Sequence, residues 1–360
     1  MAKRAWMGAL LAASLILSAC GSSTGPQPGG GGDASTAEEN RLVIYTGRDT
    51  SLIEYVVGKF EEKHPEYTGQ VDVITMGAQQ IMERVRAEQQ NPQADVWWGG
   101  TQQALGLAAK EGLLAQIQPS FADKIADENK DPEGYWYGEI LLPEVIQYNV
   151  EMISSEEAPK DWDDLLDPKW KGQILIRAVP PSGTMRTIYA AMIDRFYQDD
   201  GKPDRGYEWL LKLDANTKEY TADPNTLHLK MARQEGALSL WNLQDVLIQK
   251  YQKGMPFDYI VPESGAPILV DGVAVVKNAK HPQAAAKFLE VLFSPEVQSY
   301  LAENYYQIPA LQMENAEKPQ WLQELEPKLK PLPLEWDVMA EKEAEWIEYW
   351  DQNIKGKGGQ

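Results

Sequence analysis

The sequence predicts an α/β protein built as two lobes, and three observations carry that expectation. Short apolar, β-branched runs alternate with amphipathic stretches of helical spacing, the pattern of parallel strands joined by right-handed crossovers. About 340 residues remain after an N-terminal leader is set aside, enough for two domains or lobes. Glycine-containing loops follow several of the strand candidates and open helices.

In chain order, residues 42–46 (LVIYT) read as a buried strand. Residues 51–62 place Leu52, Tyr55, Val56 and Phe60 at helical spacing. A second strand at 71–75, a helix at 78–88, a third strand at 94–98 and a helix at 101–111 complete the first alternating block. Residues 141–150 read as extended, with Pro143 arguing against a central strand position. A short helix at 162–166, a strand at 173–176 and a long helix at 185–197 follow. Helices at 207–213 and 227–234 precede a strand at 237–241. Residues 269–276 (LVDGVAVV) are apolar, and Pro282 opens a helix over 281–292, with another at 295–304. The stretch 321–350 is amphipathic and acidic, and no internal repeat is present.

The leader itself is informative. Lys3 and Arg4 precede an apolar segment over 7–17, too short to span a bilayer as a stable helix. Leu17-Ser18-Ala19 then precede Cys20, the single cysteine of the 360 residues. This arrangement resembles a bacterial lipoprotein signal, with residues 1–19 as signal peptide and Cys20 as the lipidated first residue. Residues 20–40, rich in Gly, Ser and Pro, form a tether of roughly 25 Å average reach. Export with a lipid anchor to the cell membrane, facing the periplasm or exterior, is the expected location. With Cys20 lipidated, disulfides and a thiol nucleophile are excluded.

The formal net charge is −20, or about −22 once Lys3 and Arg4 leave with the signal. Such a surface repels nucleic acid and anionic headgroups, and no basic cluster offsets it, so no nucleic-acid partner is expected.

Several segments in order carry a family resemblance: IYTGRD, ADVWWGG, LLDPKWKGQI, PPSGT, DGVAVVKNAKHPQAAAKFLE and LFSPEVQ. Together they resemble the extracellular solute-binding proteins of ABC importers, in the type II cluster of ferric-ion, phosphonate and phosphosugar binders. The resemblance covers Leu42 to about Pro309. It implies a two-lobed type II periplasmic-binding-protein fold, with mixed sheets flanked by helices and a ligand cleft between the lobes. Residues 41–144 would belong to lobe one, 145–265 to lobe two, and 266–360 to lobe one together with C-terminal helices. It further implies a monomer that closes on a small solute and delivers it to ABC permease subunits, with no cofactor.

Within that frame three loops follow apolar strands and open helices: Thr46-Gly47-Arg48, Gly100-Thr101 after Gly99, and Ser182-Gly183-Thr184. Backbone N–H groups at helix starts, with hydroxyls nearby, make a cradle for a small anion. Ordinary N-capping wants the same residues. Arg48 and Arg186 match an anionic fork, and Arg177 is a third, weaker candidate. Trp241, Asn242 and Gln244 are expected to wall the cleft, Asp271 to contact ligand or turn its strand, and Trp97 to sit in the core. The expected cargo is a phosphonate- or organophosphate-like anion.

Ferric ion ranks second. The iron-binding relatives carry adjacent tyrosines where this chain reads Ser239-Leu240-Trp241-Asn242. Tyr305-Tyr306 lies too late in the chain to match, and His64, His228 and His281 show no ligand spacing, so no metal site is assigned. An extracellular hydrolase ranks third. The sequence has no Gly-x-Ser-x-Gly elbow and no His-Glu-x-x-His, and no catalytic residue is assigned.

Overall fold

A computed structural model describes residues 40–359. The signal peptide, Cys20 and nearly all of the tether lie outside the described residues. The first block runs β1 (Leu42–Thr46), α1 (Thr50–Lys63), β2 (Val71–Thr75), α2 (Ala78–Ala87), β3 (Val96–Thr101) and α3 (Gln102–Lys110). β4 (Tyr137–Asn149) and β5 (Ile174–Arg177) follow, then α4 (Gly183–Asp200), α5 (Asp204–Asn216), β6 (Thr217–Thr221), α6 (Pro224–Ala232) and β7 (Leu238–Asn242). α7 (Leu243–Leu247), β8 (Phe257–Ile260), β9 (Ile268–Val275), α8 (Pro282–Leu292) and α9 (Pro295–Tyr305) come next. The chain closes with β10 (Ile308–Pro309), α10 (Gln320–Leu325) and α11 (Trp336–Asn353).

The strands lie in the order β2-β1-β3-β9-β4-β7-β5-β6. β1 pairs in parallel with β2 and β3, as the alternation demands, and all five of its residues are buried. β5 likewise runs parallel to β6 and β7. The two parallel blocks are joined through antiparallel strands, which makes each half a mixed sheet.

β4 is the shared element. Its first half pairs with β9 and its second half with β7 and β8. Pro143 is the last β4 residue in register with β9, and Glu144 is the first in register with β7. The sequence reading placed Pro143 against a central strand. The strand carries it because the missing N–H falls where β4 changes partners. The second passage between lobes is residues 261–267, between β8 and β9. The Glu144 N–H donates to the Pro267 carbonyl at 2.8 Å, so the two passages are bonded to each other.

Each half has its own core. One gathers Leu42, Ile44, Val56, Phe60, Trp98, Phe288 and Leu292 around β1, β3 and β9. The other gathers Ile146, Trp162, Ile176, Met192, Leu213 and Leu240. The C-terminal residues were expected mainly with lobe one. Instead Met339, Trp346, Ile347 and Trp350 of α11 lie in the second core, where Trp350 meets Tyr189 edge-on at 5.0 Å between ring centres.

Candidate functional site

The ends of β1 and β3 and the middle of β9 in lobe one, and the ends of β5 and β7 in lobe two, carry the candidate residues or lead into them. In lobe one the Arg48 guanidinium is held on both sides. Nη2 donates to Glu139 Oε2 at 2.6 Å and Nη1 to Asp271 Oδ2 at 3.0 Å. Trp98 Nε1 donates to the same Glu139 oxygen at 2.6 Å, and Glu139 is fully buried. Burial alone would lower the Arg48 pKa, but Asp271 and then Glu139 outweigh it and hold the guanidinium charged. Burial pushes the Glu139 carboxyl up, with Arg48 opposing.

Arg48 and Asp271, expected to reach for ligand or, for Asp271, to turn its strand, are thus paired with each other. The rest of the first loop agrees. Thr46 is buried and its Oγ1 accepts from the Arg48 N–H at 3.1 Å. Gly47 lies against the Met76 carbonyl. Asp49 caps α1 by accepting from the Ser51 N–H at 2.9 Å, so a carboxylate already occupies that helix N-terminus.

The second loop is part cradle and part packing. A Cβ at Gly100 would lie 2.8 Å from Leu105, so this glycine serves the fit of α3 onto its strand. Gly99 has φ 98° and packs on the Arg48 guanidinium. Thr101 caps α3 through Ala104 N–H at 3.2 Å. Its methyl points across the cleft: a Cβ at Gly183 would lie 3.8 Å from Thr101 Cγ2. The N-termini of α3 and α4, one from each lobe, thus approach each other. Two positive helix ends repel at this range unless an anion lies between them.

The third loop keeps its donors. Ser182 is buried and caps α4 through Met185 N–H at 3.3 Å. Gly183 and Thr184, the first two residues of α4, have no acceptor within the helix for their N–H groups. Asn242, at the end of β7, donates to Thr184 Oγ1 at 3.4 Å and to Asp245 Oδ2 at 3.0 Å. Arg186 does not reach this point. It is bonded to Glu343 of α11 at 2.7 Å, which corrects its assignment as a ligand residue.

Arg177 is the exception among the three candidate arginines. It ends β5, and among the described residues no carboxylate lies within ion-pair distance and its Nε has no acceptor. Its guanidinium rests on the Trp241 ring, 5.9 Å from the ring centre. Burial lowers its pKa, and Asp245 and Asp223 offset this only from longer range. Trp241 itself is buried rather than walling the cleft. Its other neighbour is His228, 4.6 Å away, and its Nε1 donates to Asp245 at 2.9 Å. His228, whose spacing suggested no ligand role, is buried, and burial pushes its pKa down to about 4. Gln244 donates to the Tyr305 carbonyl at 2.8 Å instead of facing the cleft.

Tyr305 and Tyr306 are used elsewhere. The Tyr305 hydroxyl donates to Ser51 Oγ at 3.1 Å, and Tyr306 stacks with Tyr251 and meets Trp321. Among the described residues, no group of three or more His, Cys, Asp or Glu side chains could hold a metal ion.

What sequence reasoning underweighted is Arg177, and what it missed is Glu144. Glu144 is fully buried, opposite Asn242 in the β4–β7 ladder, and neither carboxyl oxygen has a partner among the described residues. A glutamate next to a strand proline at a lobe boundary was the available signal.

Residues 91–342 match the family of bacterial extracellular solute-binding proteins. A probable ABC transporter periplasmic-binding protein of Sinorhizobium fredii is 26% identical over 288 residues, covering 79% of this chain and 80% of its own. Iron uptake protein A1 of Synechocystis is 26% identical over 316 residues, covering 83% and 82%. The solved periplasmic binding protein AfuA of Actinobacillus pleuropneumoniae, with fructose-6-phosphate bound, superposes with a TM-score of 0.72. It is 27% identical, over 88% of this chain and 98% of that one.

Proposed function

We propose an oxyanion receptor, on the premise that this chain belongs to the bacterial extracellular solute-binding proteins. Its relatives are the periplasmic binding proteins of ABC transporters, and its fold is theirs: two α/β lobes joined by β4 and by the β8–β9 connection. Such a protein binds a small solute between its lobes and hands it to the permease. The finer reading is that the solute is a small oxyanion of the phosphomonoester or phosphonate kind. Cys20 would tether the receptor to the membrane, and the role would be binding without turnover.

One observation carries the anionic reading. Of the three candidate arginines, Arg48 and Arg186 are bonded to carboxylates, and Arg177 is not. A partly desolvated guanidinium with no counter-ion is stabilised by an anion that supplies one. The free N–H groups of Gly183 and Thr184, the Ser182 cap, Asn242 and Thr101 then complete a site shared by both lobes. A bound oxyanion would also relieve the approach of the α3 and α4 N-termini, which couples occupancy to lobe closure.

The test is titration of purified protein with fructose 6-phosphate and with inorganic phosphate, followed by tryptophan fluorescence because Trp241 lies under Arg177. Saturable binding is expected, and Arg177→Ala should weaken it about 10- to 100-fold. Equal binding by the variant contradicts the assignment. The names of the iron-uptake relatives keep ferric ion as the second reading. A visible tyrosinate-to-metal band on adding ferric salt would favour it.

A further inference from the structure

We infer that Glu144 is a specificity-determining residue of the oxyanion site, donating a carboxylic-acid O–H to an oxygen of the bound anion. The inference rests on the oxyanion reading above and adds to it a proton requirement and a residue that no cleft-loop argument identifies.

The placement comes first. Glu144 and Asn242 are directly opposite in the antiparallel β4–β7 ladder, so their side chains leave the same face as near neighbours. Asn242 reaches Thr184 at the start of α4. Alternation along β4 puts Glu144 on the face of Ile146 and Tyr148, both in the core that α4 covers. The carboxyl therefore lies on the α4 side of the sheet, next to the residue that contacts the α4 N-terminus. Arg177 lies on the face of Leu175, opposite that of Ile174 and Ile176, and sits with Trp241 there. The two residues approach the sheet edge from different sides.

The chemistry follows from burial. Neither Glu144 oxygen has a hydrogen-bond partner among the described residues, and the side chain is 0% exposed. A buried polar group left unpaired is costly, and a buried unpaired charge more so. The charge that bears on Glu144 is Asp245 of α7, and burial together with Asp245 raises its pKa well above the ordinary carboxylate value. The neutral form that this favours carries a donor and adds no repulsion to an anion. An ionised glutamate in the same place would oppose the anion that Arg177 and the α4 N-terminus favour. Glu144 also stands at the passage between lobes, where its own N–H is bonded to the Pro267 carbonyl.

The experiment compares wild type, Glu144→Gln and Glu144→Ala by calorimetric titration with inorganic phosphate, from about pH 5 to about pH 9. Wild-type affinity should fall as pH rises through the raised Glu144 pKa. Glu144→Gln keeps a neutral donor, so it should bind within about threefold of wild type at the acidic end and lack that component of the pH profile. Titration of the phosphate itself is common to both proteins and cancels in their ratio. Glu144→Ala should bind about 10- to 100-fold more weakly. If the alanine variant does not fold, the difference between the wild-type and glutamine pH profiles decides. Identical profiles, or a glutamine variant as weak as a knockout, overturn the inference. If Arg177→Ala loses binding while Glu144 variants do not, this inference fails and the oxyanion reading stands. If wild type binds no oxyanion, both fall.

Discussion

Arg48 in the first lobe and Arg177 in the second occupy corresponding places, each at the end of a parallel strand, yet they keep different company. Arg48 lies between Glu139 and Asp271, two carboxylates that arrive from β4 and β9. Arg177 has an indole face and, among the described residues, no carboxylate at bonding distance. Under the proposed function, the same residue type near the end of the equivalent strand serves structure in one lobe and recognition in the other. A guanidinium whose charge is already matched stitches strand ends together. One whose charge is unmatched has reason to wait for an anion.

That contrast can be broken experimentally. The largest effect is expected from Arg48→Ala, which leaves the buried Glu139 and the partly buried Asp271 without their partner. Removing one member of a buried pair costs about 3–5 kcal/mol, so the chemical-denaturation midpoint should drop sharply. Affinity for fructose 6-phosphate, measured where the variant is still folded, should change little. A variant as stable as wild type but unable to bind would return Arg48 to the ligand. Next in size is Arg177→Lys, which keeps the charge and loses the planar fork. It should weaken binding roughly tenfold with no loss of stability, and an unfolding midpoint that falls instead would mark Arg177 as structural. The smallest effect is expected from Glu343→Gln. The Arg186–Glu343 pair is partly exposed, with side chains 26% and 17% accessible, so its loss should cost about 1 kcal/mol or less. A large loss of affinity there would place Arg186 back in the site.

The local patterns were legible in the sequence. β1 and β2 fall where apolar, β-branched runs place them, and Pro282 opens its helix. β6 (TKEYT) was missed because it is an edge strand with a polar, half-exposed alternation, and β8 is only four residues long. Pairing across the molecule was not legible. The partners of Arg48 lie 91 and 223 residues away, so a loop that reads as an anion cradle is closed by carboxylates no local window includes. The Arg186 partner was hidden for the same reason, since Glu343 arrives on α11 from 157 residues downstream. Three loops looked alike because N-capping and anion binding draw on the same residues. What distinguishes them is whether a carboxylate already stands at the helix start, as Asp49 does on α1 and none does on α4.

The central claim is that the cargo is an oxyanion held in lobe two by Arg177. Native mass spectrometry of protein purified without refolding tests it most directly, because such receptors can retain their ligand. The account predicts a retained mass that fits a phosphoryl- or phosphonyl-bearing solute in wild type and in Glu343→Gln, absent from Arg177→Ala. A retained ferric ion, or a ligand held equally well by Arg177→Ala, would contradict it.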